Sequence, residues 1–323
     1  MTKNLSPNDP LADASSRYLD WLRSSRDLSP HTLRAYEFDL LVLRRFVGTN
    51  ATTDCITSET LLEFFAAQRA DGLMPSSLRR RAAGVRGLCR WLMAEGLTVD
   101  DPWSGVSLSF RSDRSLPRSV PGHELRTLIE FLRSEAQVPR SIDALVDLCR
   151  PAEATTLLAA TLMVATGLRV GELVGLRIHD VDIEDRTIRV LGKGRKERVV
   201  FLPNDWLCQL LRAYLRSRTV RGVSHAHLLF GRDGRPLTTA AVRARLRRAG
   251  EQAQLGRRVT PHMLRHSAAT QLVESGVDIR FVQRLLGHAS LSTTEIYTHV
   301  SNQALRRAIT TADVLDGSLR PIG

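Results

Sequence analysis

Arg169 and Glu172 stand three apart in Ala-Thr-Gly-Leu-Arg-Val-Gly-Glu-Leu, a spacing that lets a carboxylate orient a guanidinium. Alone, such a pair is most often a surface salt bridge. A second piece is the turn Gly192-Lys193-Gly194-Arg195-Lys196. The chain has 46 basic residues and only three are Lys, at positions 3, 193 and 196, so a chain that otherwise uses Arg keeps two lysines in one turn. Arg cannot release a proton near neutrality, whereas Lys can when its neighbours are positive, and a turn that must supply a proton therefore needs Lys. A third piece is Thr260-Pro261-His262-Met263-Leu264-Arg265-His266, with a capping Thr, a Pro suited to the first helical position, and His262 and Arg265 on one face of the first turn. A helix start presents free N–H groups to a phosphate. A metal held by His262 and His266 is disfavoured, because no carboxylate or cysteine stands near and Arg265 would repel a cation. The last piece is Leu286-Gly287-His288, nine residues before Tyr297, where Ser292 and Glu295 have capping-box spacing and place Tyr297 near a helix start. A single tyrosine is usually a packing residue. The ordered set Arg, Lys, His-x-x-Arg, Gly-His, Tyr is far less accidental than any member.

These residues need elements that bring distant segments together. The chain's 323 residues suffice for two domains, each with its own core. From 14 to 97 the periodicity predicts amphipathic helices. The clearest starts at Ser29-Pro30 with Leu33, Tyr36, Leu40, Leu43 and Phe46 on its apolar face. Further helices are expected over about 58–70 and 76–94, the latter with Leu78, Val85, Leu88 and Leu92 inward. Arg79, Arg86 and Arg90 share one face of it and are candidate DNA-phosphate contacts, although a solvated face is the ordinary reading of surface arginines. The stretch from Pro102 to Pro121 has no periodicity and is rich in Ser, Pro and Arg, as a linker is. Beyond it the sequence predicts helices at about 122–134 and 155–168, a β-hairpin within 187–203, and more helices from about 238. The fold class expected is mainly α with a small β-hairpin or sheet.

Charge and composition narrow the partner. Lys and Arg exceed Asp and Glu by 46 to 34, a formal +12, and residues 120–323 carry +10 of it, which suits nucleic acid. No run is long and apolar enough for a membrane span and the N-terminus has no secretory signal, so a cytoplasmic protein without membrane association is expected. Cys55, Cys89, Cys149 and Cys208 show no paired spacing and read as small buried residues.

The segments TGLRVGEL, GKGRKER, HMLRHSAAT and LLGHASLSTTEIYTHV resemble the catalytic motifs of the tyrosine recombinase (phage integrase) family, nearest in pattern to bacterial Xer recombinases. SPHTLRAYEFDLLVLRRF resembles the start of that family's core-binding domain, so the likeness covers nearly the whole chain. The resemblance implies an N-terminal helical, SAM-like core-binding domain at 12–103, a linker at 104–120, an α+β catalytic domain at 121–312 and a tail at 313–323. It implies that Tyr297 attacks the scissile phosphate and forms a 3′-phosphotyrosine. Arg169, Arg265, His262 and His288 then hold the phosphate, Lys193 protonates the leaving oxygen, and Glu172 and His266 support them. No ATP, cofactor or metal is expected, because one phosphoester replaces another. The implied partner is duplex DNA with inverted half-sites, clamped between the two domains, with a homotetramer joining two sites and room for a second recombinase or accessory protein. In the tail, Leu305, Ala308, Ile309 and Ala312 form a short apolar stripe too small to be stable alone, which docks either on its own domain or, as the resemblance implies, on a neighbouring protomer. The segment from Ser134 to Ala154 is longer than the Xer pattern leads one to expect and favours a recombinase of a mobile element. Two other readings are a type IB topoisomerase, which the long helical N-terminal part disfavours, and a catalytically inactive DNA-binding accessory protein, which the full catalytic set disfavours.

Overall fold

The computed structural model describes residues 9–26, 28, 30–98, 100–110, 119–140, 148, 150–192, 197–286, 302–312 and 315, and the chain divides into two compact units, Met1–Ser115 and Leu116–Gly323.

Among the described residues the first unit holds four α-helices: α1 (Leu11–Ser25), α2 (Pro30–Val47), α3 (Ser58–Ala70) and α4 (Pro75–Ala94). Thr57 caps α3 by accepting the Thr60 N–H at 3.1 Å, and Pro75 opens α4 at a position where no amide partner is needed. Leu78, Val85, Leu88 and Leu92 of α4 are buried with Leu40 and Leu43 of α2, and with Phe64 and Phe65 of α3. Phe46 departs from the expected apolar face. It is 39% exposed, because α2 ends one residue later and its ring reaches only the edge of Phe64. Cys55 is another correction: it ends a short 3₁₀ turn and is exposed, whereas Cys89 and Cys208 are buried as expected; Cys149 lies outside the described residues. The buried carboxylate of Asp39 accepts from Arg80 Nη1 at 2.7 Å and Arg81 Nε at 3.1 Å, which ties α2 to α4.

The second unit is built around α6 (Pro151–Thr166), which packs against α5 (Gly122–Glu135), α8 (Asp205–Val220), α9 (Thr239–Gln252) and α10 (Pro261–Glu274). Twelve of its sixteen residues are buried, and only Pro151, Ala152, Glu153 and Thr156 near its start are partly exposed. The hydroxyls of Thr155, Thr161 and Thr166 make this possible by donating to the carbonyls of Pro151, Leu157 and Leu162 at 2.8, 2.9 and 2.6 Å. The helix starts four residues before the expected position because Pro151 serves as its first-turn proline. Residues 136–150 therefore separate α5 from α6, whereas the sequence predicts helices at about 122–134 and 155–168.

Short α7 (Val170–Gly175) leads to an antiparallel sheet of β1 (Val181–Asp182), β2 (Thr187–Leu191) and β3 (Glu197–Phe201), in the order β1-β2-β3, with Val190 opposite Arg198. The hairpin is thus where the alternating pattern puts it. Helix α8 goes beyond the sequence expectation, although Asn204 caps it by accepting the Leu207 N–H at 3.0 Å and Leu207, Leu210, Leu211 and Tyr214 line its buried face. Among the described residues, helices α11 (Ile279–Leu286) and α12 (Asn302–Ala312) follow in this unit. Ile309 and Leu315 are buried in the core of this same unit, with Ala308 and Ala312 packed against it. In the single chain the apolar stripe therefore covers its own unit, because a helix this short needs a larger apolar surface to dock on; the Leu305 side chain lies outside the described residues. Among the described residues no helix is long and apolar enough to cross a membrane.

Candidate active site

Backbone conformation at the end of α6 aims the first cation. Gly167 closes the helix with φ +64°, a left-handed conformation that suits glycine, and a side chain there would overlap Leu286. Leu168 then turns inward, fully buried, and Arg169 becomes the N-cap residue of α7. Its backbone N–H donates to Glu172 Oε2 at 2.8 Å and its Nη1 donates to Oε1 at 2.9 Å. Glu172 is 8% exposed, while the Arg169 side chain remains 44% exposed. Burial pushes the Glu172 carboxyl upward, but hydrogen bonds from Arg198 and from the Arg169 amide, the charge of Arg198 and a hydrogen bond from the Arg169 guanidinium outweigh it and hold the pKa at about 2.

At α10, Thr260 accepts the Met263 N–H at 3.3 Å, Pro261 occupies the first turn, and His262 and Arg265 come one turn apart. His262 is exposed; Arg265 is only 7% exposed. Arg265 Nη2 donates to the Leu286 carbonyl at 2.6 Å, and its Nη1 donates to the Gly167 carbonyl. Each of these nitrogens keeps a second N–H. Burial and the positive charges of Arg169 and Arg198, opposed by Glu172, bring the Arg265 pKa down to about 10, so the group stays charged at neutral pH.

Arg169, His262 and Arg265 line one cleft of about 1120 Å³. Glu172, Gly192, Glu197 and four further arginines, Arg198, Arg243, Arg258 and Arg284, line it too. Among the described residues it is thus strongly cationic, able to bind a phosphodiester and to stabilise charge growing on its oxygens. His266 is not on this wall; it lines an adjoining, more apolar groove between α10 and α11 with Met263, Val273, Ile279 and Val282. Lys193, His288 and Tyr297 lie outside the described residues. Sequence reasoning missed the four extra arginines. Arg198 stands inside the GKGRKER segment, but nothing in local spacing marks which residue a buried guanidinium will meet.

Arg79, Arg86 and Arg90 are exposed on one face of α4. With Trp103, Leu108 and Phe110 they line a separate hollow of about 350 Å³ in the first unit, and the Arg86 guanidinium lies 4.6 Å from the Trp103 ring centre.

The model of the phage integrase family matches residues 131–304, and that of the phage integrase N-terminal SAM-like domain matches residues 16–96. The chain is 36% identical over 292 residues to the tyrosine recombinase XerC of Stutzerimonas stutzeri, covering 90% of this chain and 92% of that one. It is 36% identical to the XerC of Pseudomonas aeruginosa over 291 residues, 89% and 90% of the two chains. Among solved structures it resembles the XerH site-specific recombinase bound to a palindromic difH substrate, with a TM-score of 0.66, 26% identity, and coverage of 91% and 83%. The fold is shared with a lambda integrase tetramer bound to a Holliday junction, at a TM-score of 0.67, 22% identity, and coverage of 88% and 76%. Two family domains in order, relatives alike over nearly their whole length, and a cationic cleft built from the motif residues lead to one conclusion: the chain belongs to the phage integrase family and is a tyrosine site-specific DNA recombinase nearest the Xer type.

Proposed function

We propose that this recombinase cuts DNA by attack of the Tyr297 hydroxyl on a phosphate held in the cleft of the second unit, leaving a 3′-phosphotyrosine and a free 5′-hydroxyl. Arg169 and Arg265 donate to the non-bridging oxygens, His262 and His288 add donors, and Lys193 protonates the departing 5′ oxygen. Glu172 holds Arg169. His266, placed on the neighbouring groove, supports α10 and does not itself touch the phosphate. The observation that carries this reading is the convergence of Arg169 and the His262/Arg265 pair on one cleft, from segments that lie 98 residues apart along the Gly167–Arg265 hydrogen bond. Gly192 and Glu197, the two ends of the turn that contains Lys193, line the same cleft.

The domain division that goes with this reading is a DNA-binding helical domain at 12–103, a linker at 104–120, a catalytic domain at 121–312 and a tail at 313–323. The substrate is duplex DNA with inverted half-sites, joined in pairs by four protomers. Exchange of one phosphoester for another is nearly isoenergetic and draws on no nucleotide.

The test uses a duplex selected for binding to the full chain from a random-sequence pool, nicked beside the cleaved position. Wild-type protein is expected to give an adduct that survives denaturation, and Tyr297→Phe none, at equal DNA affinity. An adduct of normal yield from Tyr297→Phe would overturn the assignment.

A further inference from the structure

Arg198, on β3, is a cation of the cleft whose side chain is only 15% exposed. Its Nη1 and Nη2 donate to Glu172 Oε1 and Oε2 at 2.9 and 2.8 Å, and its Nε donates to the Leu285 carbonyl at 3.0 Å. Both carboxylate oxygens are shared with Arg169, so Glu172 is gripped from two sides. Arg198 therefore fixes the carboxylate that in turn fixes Arg169.

Its third bond reaches a different element. Leu285 and Leu286 end α11, and carbonyls of a last turn have no acceptor role inside the helix. Arg198 satisfies the first and Arg265 the second, two cations at the negative end of the helix. Two residues later comes His288, and two residues before Arg198 is the end of the turn containing Lys193. One guanidinium thus joins the start of α7, the strand that follows the lysine turn, and the helix that precedes His288, across 26 and 87 residues of chain.

We infer that Arg198 is a positioning residue for strand cleavage, setting Arg169 through Glu172 while anchoring the end of α11; the inference rests on the proposed role of Arg169 at the phosphate. The planar fork meets a carboxylate with two parallel bonds and still has Nε free for a carbonyl, which a lysine ammonium cannot reproduce. Arg198→Lys keeps the charge and loses the geometry.

The measurement is single-turnover cleavage by the full chain on the selected duplex, with either a phosphodiester or a neutral methylphosphonate at the scissile position mapped from the wild-type adduct. A neutral centre has less need of cations placed on its oxygens. Arg198→Lys should cleave the phosphodiester about 10- to 100-fold more slowly at unchanged DNA affinity, and its deficit should shrink on methylphosphonate. Arg169→Ala should show the same pattern. If Arg169→Ala shows it and Arg198→Lys is equally slow on both substrates, or as fast as wild type, Arg198 is no positioning residue although the site stands. If Arg169→Ala is equally defective on both, the reading of the site itself falls and this inference with it. Should Arg198→Lys lose its thermal transition, Glu172→Gln, which leaves the arginine in place, carries the same comparison.

Discussion

At the scale of single residues the cleft is decided by who shares Glu172. A folded-state pKa of about 2 against an ordinary 4.5 means that protonation favours the unfolded chain. The carboxylate's contribution to stability is therefore complete above about pH 4.5 and is lost as pH falls toward 2. Glu172→Gln should cost about 1.5–3 kcal/mol near neutrality, the loss of charge-assisted hydrogen bonds. In urea unfolding the gap between wild type and variant should narrow by about 1 kcal/mol from pH 5 to 3.5. A constant gap would mean that Glu172 is not held ionised by its arginines. Lys193 permits a separate chemical test. A thiolate leaves without a proton, so sulfur at the bridging 5′ position should restore cleavage by Lys193→Ala, which on oxygen is expected to be about 10²–10⁴ slower. Rescue of Lys196→Ala in its place would move the role to the second lysine of the turn.

Elements decide which of these residues can meet. The rarity of lysine and the order of the motifs were legible in the sequence, and so were the capped start of α10 and the hairpin, because caps, prolines and alternation act within a few residues. Helix α4 was equally legible: its apolar stripe is buried and its arginines share the outer face. The Trp103 ring beneath Arg86 was not, since it comes from beyond the helix. A basic face interleaved with aromatic rings suits a nucleic-acid backbone. Replacing Arg79, Arg86 or Arg90 by Ala should weaken binding to all duplexes alike and reduce the slope of log K against log salt by about 0.9 for each phosphate left unneutralised. Slopes unchanged in all three variants would remove this face from the DNA.

For the whole molecule, the tail is where the single chain shows one of the two packings that the sequence allowed. Ile309 and Leu315 are buried in the second unit's own core, so in the single chain the stripe stabilises the unit that carries it. Burial of each such side chain contributes about 1.5–3 kcal/mol, and removal of residues 304–323 should lower the thermal midpoint measurably. If the tail also serves a neighbour in the assembled complex, the same truncation keeps single-site gel shifts and loses two-site complexes and cleavage. A truncated protein of normal stability that recombines normally would count against both roles. Local features of the sequence by themselves determined the helical class, the hairpin, the excess of positive charge and the set of candidate site residues, because each depends on neighbours a few positions away. Only the tertiary structure decided that Arg198 grips Glu172 and Leu285, that Arg265 spans Gly167 and Leu286, and that His266 faces the neighbouring groove. Those pairings join residues 21 to 98 positions apart, and a buried guanidinium takes whichever acceptors the packed core leaves within reach.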